Sequence, residues 1–210
     1  MERRLKEYRG AVSRVADWKG VPTLFINETS LRRMTDCPYR SAVHAQRKAL
    51  GLMGAPYDCY DLADFEAVYA RYRAVIFISI LPSPRLADAL KKCKAAGVAV
   101  LQNSPRTPTF TADRLRRFCR KSGVHLYCET DEILYVNDGF LAIHSPAGGQ
   151  ITLRFPAPVA LSPLLGGEAP SAAEADPPGT VFRLTVQKGQ TLLFSVKKQG
   201  YGVDTKGKPN

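Results

Sequence analysis

Ala74-Val-Ile-Phe-Ile-Ser79 decides the fold. The run is apolar without a break from Ala74 to Ile78, too short for a helix, and rich in β-branched and aromatic side chains. Such a run reads as a strand buried on both faces, which needs a sheet covered on each side. The same pattern recurs outward from it. Upstream stand Val21-Pro-Thr-Leu-Phe-Ile26, a strand that tolerates Pro22 near its start, and a helix over 38–53. Pro38 suits the first turn of that helix and Gly54 its stop. A short strand at Tyr57–Tyr60 and a short helix over 63–71 follow. Downstream, a helix from Pro84 to Ala96 closes at Gly97 and leads to a strand at Val98–Gln102. Thr111 caps a helix from Ala112 to Lys121, stopped by Gly123, before a last apolar run at Val124–Cys128. Five apolar runs alternating with helices predict an α/β fold: a flavodoxin-like open parallel sheet of about five strands over residues 21–130, with right-handed crossovers. Residues 1–20 read as a polar helix or connector.

After Cys128 the pattern changes. Glu132–Val136 and Phe140–His144 flank Asn137-Asp138-Gly139, and Asp-Gly between β-rich runs predicts a hairpin. Gly148-Gly149 turns into Gln150–Phe155. Residues 166–179 are rich in Gly, Pro, Ala and Glu and read as a mobile loop. Val181–Val186 and Thr191–Val196, separated by a turn at Lys188-Gly189, predict a closing hairpin. Residues 131–197 are thus expected to form a small antiparallel β domain, and 198–210 a disordered basic tail.

The chain has 210 residues and a net charge of +11. Its basic residues cluster at Arg3, Arg4, Lys6, Arg9 and Arg14 and again at Arg114, Arg116, Arg117, Arg120 and Lys121. No aromatic residues are interleaved with them as stacking platforms, so they read as solvated helix faces and no nucleic-acid partner is expected. The five cysteines contain no C-x-x-C pair, which excludes a zinc ribbon or a thioredoxin motif. They read as reduced thiols in a cytoplasmic protein. No apolar run approaches the length of a membrane span, so no membrane partner is expected.

In an open α/β sheet, ligands bind beyond the carboxyl ends of the strands. The polar residues there are Asn27, Glu28, Ser79, Asn103 and Ser104, whose donors and acceptors suit sugar hydroxyls. They are the candidate ligand-binding residues. No G-x-G-x-x-G or P-loop is present, so no dinucleotide site is expected. Ser79 stands where a phospho-receiver needs a carboxylate. An amidotransferase would need a cysteine on the elbow after the fourth strand, and Gln102-Asn103-Ser104-Pro105 stands there. Cys59, Cys93, Cys119 and Cys128 read as buried structural thiols. His44, His125 and His144 read as packed or surface residues, and Glu28 and Glu129 as a solvated rim. No catalytic residue, metal or cofactor is expected.

Several segments together resemble a known family. Gly54-Ala-Pro-Tyr-Asp-Cys-Tyr-Asp-Leu62, the strand Arg73–Ser79, and Gly123-Val-His-Leu-Tyr127 leading to Asp131–Asn137 and Leu141–His144 carry the likeness. Gln150–Pro156 and Gly189–Phe194 continue it. In this order they are similar to the class I glutamine-amidotransferase-like, trimerisation-type domain and C-terminal β domain of β-galactosidase-type glycoside hydrolases of family forty-two. The resemblance implies a place behind a catalytic (β/α)8 barrel that carries that family's two glutamates, so none is transferred to this chain. That domain has generally lost the amidotransferase cysteine, as at Asn103. It implies a non-catalytic accessory or assembly portion of such an enzyme, partnered by a catalytic barrel domain or subunit. The alternative is a carbohydrate or small-molecule binder using the rim. Without the barrel, weak or no self-association is expected.

Overall fold

The computed structural model describes residues 22–26, 38–78, 82–137, 139–165, 169–174 and 179–199. Strand β3 (Ala74–Ile78) is buried at every position. It lies between β1 (Pro22–Ile26) and β4 (Ala99–Gln102), and β2 (Asp58–Asp61) pairs with the far side of β1, all parallel. Alternate side chains of β3 enter two cores, because successive strand residues point to opposite faces. Ala74, Ile76 and Ile78 pack with Leu50 and Met53 at the end of α1 (Pro38–Gly51) and with Leu115 and Cys119 of α4 (Ala112–Lys121). Val75 and Phe77 pack on the other face with Phe65 and Val68 of α2 (Phe65–Val68) and with Leu86, Ala89 and Cys93 of α3 (Pro84–Ala95). Ser83 caps α3 by accepting from the Leu86 N–H, and Thr111 caps α4 by accepting from the Arg114 N–H.

The expected flavodoxin-like sheet of about five strands does not form. Among the described residues the parallel sheet has four strands, in the order β2-β1-β3-β4, and the remaining seven strands are antiparallel. Val124–Cys128 joins no ladder. Its apolar character has another cause: Val124 and Leu126 enter the core beneath α4, while Tyr127 and Cys128 enter the core of the antiparallel half. The segment is buried on two sides by two different cores, not by two faces of one sheet. The expected helix over 63–71 is instead a 3-10 turn (Leu62–Asp64), the one-turn α2 and another 3-10 turn (Tyr69–Arg71), with Phe65 stacked on Tyr69 at 4.5 Å.

The antiparallel half has more strands than expected. It comprises β5 (Ile133–Val136), β6 (Phe140–His144), β7 (Gly149–Phe155), β8 (Val159–Pro163), β9 (Ala172–Glu174), β10 (Thr180–Val186) and β11 (Thr191–Lys198). One sheet has the order β5-β6-β11-β8 and the other β7-β10-β9. β5 and β6 form the hairpin expected at Asp138-Gly139. The expected closing hairpin does not form: β10 pairs with β7 and β9, whereas β11 pairs with β6 and β8. The reason lies in the side chains. Phe182, Val186 and Phe194 are buried in one core between the two sheets, and the turn at 187–190 carries the chain from one layer to the other. β8 lies in a stretch without a predicted element, and β9 lies within the expected mobile loop. Lys198, expected in the tail, pairs with Val159. Residues 1–21 and 200–210 lie outside the described residues. No helix among the described residues is long and apolar enough to cross a membrane.

The two halves meet at Gly54 and residues 124–131. The Gly54 carbonyl accepts hydrogen bonds from the N–H groups of both Tyr127 (2.8 Å) and Cys128 (3.3 Å). Gly54 has φ +81°, and a Cβ there would overlap the Cys128 carbonyl oxygen. Arg154 N–H donates to the Tyr127 carbonyl at 2.8 Å, and the His125 ring nitrogen Nε2 donates to the Arg154 carbonyl at 2.7 Å. From His125 an aromatic series runs edge to face through Tyr127, Phe155 and Phe182.

Gly54→Ala is expected to destabilise the protein by about 1–3 kcal/mol from the left-handed backbone alone, with the overlap on Cys128 adding to it. Gly97→Ala is the control, since Gly97 has φ +67° but nothing within 4 Å of its Cβ position. Urea unfolding should show the first variant clearly less stable than the second. Burial lowers the pKa of His125, the bond to the Arg154 carbonyl opposing it. The unfolded chain therefore binds the proton more readily, and stability present above the ordinary histidine pKa of about 6.5 falls as pH drops toward the lower folded value. His125→Gln keeps a donor for Arg154 and removes the titration. Thermal melts between pH 7.5 and 5.5 should show a smaller loss in that variant than in the parent.

Candidate functional site

The rim of the parallel sheet is formed, among the described residues, by the end of β4 and the loop that follows it. Asn27, Glu28 and Ser79 lie outside the described residues. Asn103 and Ser104 are brought together at this rim, and both serve the loop itself. Asn103 is buried; its N–H donates to the Phe77 carbonyl and its amide Nδ2 donates to the Pro108 carbonyl at 3.0 Å. Ser104 and Thr107 exchange two backbone hydrogen bonds of 3.0 Å, and the Ser104 hydroxyl accepts from the Thr107 N–H. The Ser104-Pro-Arg-Thr107 turn is thereby closed on itself.

Two residues that fix this region carry no motif. Gln46 is buried in α1; its Oε1 accepts from the Phe110 N–H at 2.7 Å and its Nε2 donates to the Phe110 carbonyl at 3.4 Å. The signal for it was spacing, since Gln46, Leu50 and Met53 fall on one helix face. Arg116, expected on a solvated face, is also buried. It donates to the Leu52 carbonyl at 2.7 Å and to Asp113 at 2.6 Å, and it is paired with Asp131. Its three-residue spacing to the buried Cys119 was the corresponding signal.

Other candidate catalytic groups are paired or quenched. Glu129 is paired with Arg120 at 3.0 Å. Burial pushes the Cys93 thiol up to about 11 and the Cys119 thiol up to about 12, so neither supplies a thiolate nucleophile near neutral pH. Cys128 is buried, with its Sγ 3.0 Å from the Thr130 hydroxyl. His144 Nδ1 lies 2.9 Å from the Thr191 hydroxyl on the antiparallel half, on the neighbouring strand β11 and not at the rim. No group of three or more His, Cys, Asp or Glu side chains suited to a metal occurs among the described residues. A cavity of about 450 Å³ lies in the antiparallel half, between β10, β11 and the connection after β8, with Leu165, Pro170, Arg183, Thr185, Gln190 and Leu192 in its wall.

No protein-family model matches the sequence, and no curated protein matches it. The solved structures that match this chain include the following two. A β-galactosidase from Bacillus circulans sp. alkalophilus matches with a TM-score of 0.52 at 11% identity, over 83% of this chain and 41% of that one. An apo exo-carrageenase of family GH42 from Bacteroides ovatus matches with a TM-score of 0.47 at 10% identity, over 86% of this chain and 30% of that one. This chain therefore spans 41% and 30% of those two proteins, and the likeness to the first is one of fold alone.

Thiol reactivity checks this reading of the cysteines. Cys59 is exposed, not buried as expected, because it lies on the edge strand β2, and iodoacetamide labelling mapped by mass spectrometry should modify it in the native protein. Cys93, Cys119 and Cys128 should label only once denaturant is added. Native labelling of Cys93 or Cys119 would mean that a thiolate is accessible after all.

Proposed function

We propose that this chain is a non-catalytic accessory or assembly portion of a β-galactosidase-type glycoside hydrolase, working beside a catalytic barrel supplied by another domain or subunit. The observation that carries the reading is architectural. A parallel sheet joined to a two-sheet antiparallel half shares its fold with part, and under half, of a β-galactosidase. The chemistry is compatible. The described rim residues Asn103 and Ser104 are engaged in their own loop, and the buried thiols are poor nucleophiles. The alternative of sugar binding at the rim would rest on Asn27, Glu28, Ser79 and Ser104, because the Asn103 side chain is buried and already bonded. In the proposed role the amidotransferase-like resemblance of the parallel half is that of an assembly element, and the isolated chain associates with itself weakly or not at all.

A chromogenic assay tests the proposal. Purified protein incubated with nitrophenyl β-galactoside and related aryl glycosides should release no nitrophenol above the buffer rate. Turnover that a single substitution in this chain abolishes would overturn the reading.

A further inference from the structure

The outer face of α4 has a composition that its packing does not require. Leu115, Arg116 and Cys119 face inward. Arg114, Arg117 and Lys121 are exposed, and their three- and four-residue spacing aligns them on one face over about 10 Å of helix. Arg73 adds a cation beside the C-terminal end of the helix: its Nη1 is 3.4 Å from the position a Cβ on Gly123 would occupy. The neighbouring acids are used elsewhere, Asp113 by Arg116 and Glu129 by Arg120. Among the described residues, no carboxylate is paired with Arg114, Arg117, Lys121 or Arg73. Arg114 is also held in place, its guanidinium carbon 4.8 Å from the centre of the Phe110 ring.

We propose that this row of four cations is a binding surface for an anionic polysaccharide, one bearing sulfate or carboxylate groups along its chain. Elimination among polyanions supports that occupant. Single-stranded nucleic acid is gripped on exposed aromatic platforms, whereas Phe110 is buried and Phe118 packs inward; duplex DNA, whose phosphates such cations could also meet, is separated by the test below. A protein partner needs an apolar interface core, and the exposed large apolar residues, Tyr135 and Leu165, are on other elements. A membrane-surface helix needs a free apolar face, and the apolar face of α4 is spent on the sheet. A second copy would bring the same net charge of +11. A hydrophilic polyanion needs only a row of forked or pointed cations, which arginine and lysine supply to sulfate and carboxylate. The choice of a carbohydrate rests on the functional reading above.

The test uses the full chain with dextran sulfate, polygalacturonate, neutral dextran and duplex DNA as probes, by calorimetry over a series of salt concentrations. Dextran sulfate or polygalacturonate should bind at physiological salt and neutral dextran should not. The triple variant R114A/R117A/K121A should lose affinity at least about tenfold, and its salt slope should fall by about one per cation removed. The triple variant R85A/K91A/K94A on α3, which removes the same charge from another exposed helix, should bind like the parent. Circular dichroism confirms that both variants fold. Equal loss in both triples, or no loss in the first, would overturn the proposed surface. DNA binding as tight as the polysaccharides at physiological salt would reassign it to nucleic acid. Chromogenic turnover with intact polysaccharide binding would instead reject only the non-catalytic reading.

Discussion

The structure depends on a short segment shared by two hydrophobic cores. Between Val124 and Cys128 the chain sends Val124 and Leu126 one way and Tyr127 and Cys128 the other. A segment buried on both sides cannot leave its backbone polar groups unpaired, because an unmet buried amide costs as much as a lost hydrogen bond. Having no neighbouring strand, it finds its partners at the Gly54 carbonyl, the Cys119 carbonyl and the Arg154 N–H. The Gly54-Ala-Pro turn is therefore a dock as well as a helix stop. The missing side chain at Gly54 lets two backbones approach to hydrogen-bond distance, and this contact sets how the parallel and antiparallel halves are joined.

Arg116 secures the same junction from the other side. It ties α4 to the end of α1 through the Leu52 carbonyl and to the chain entering β5 through Asp131. A buried guanidinium is retained only with partners that offset its desolvation, and here two carboxylates and a carbonyl share that task. Both carboxylates are exposed on their outer sides, so the charge is buried at one end and hydrated at the other. An apolar side chain could fill the space, but it could not hold three separate segments at fixed directions. Directional bonding is what this position adds to the non-directional packing around it.

Burial patterns were legible where one residue pattern has one structural cause. β3, β4, α3 and α4 follow from apolar runs, Thr111 as a cap, and Gly97 and Gly123 as stops. The β5–β6 hairpin follows from Asp138-Gly139. Misreadings arose where two causes give the same pattern. Val124–Cys128 is as apolar as a central strand, but periodicity records burial and not what does the burying. Val181–Val186 and Thr191–Val196 have the composition of a hairpin, and local sequence does not distinguish a turn within a sheet from one between sheets. At the rim, Asn103 is polar because its loop needs a buried amide to reach Pro108, a requirement invisible without the loop's path. Gln46 and Arg116 sit on buried helix faces in the sequence itself, and polarity alone had placed Arg116 in water.

The arch at residues 187–190 also governs the order in which the antiparallel half can assemble. Within that half, among the described residues, β5 with β6 and β9 with β10 are the paired strands that follow one another in the chain. β7 waits for β10, with Phe155 meeting Thr180, and both β6 and β8 wait for β11, with His144 meeting Thr191 and Val159 meeting Lys198. Loop closure over such separations precedes any reward from pairing, which makes folding of this half slow relative to a hairpin meander of equal size. On the ribosome, β6 and β8 emerge with open edges and remain so until the residues up to Lys198 have been synthesised. Among the described strands, β11 is thus the one that closes the four-stranded sheet, and the parallel strands β1 to β4 precede it in the chain.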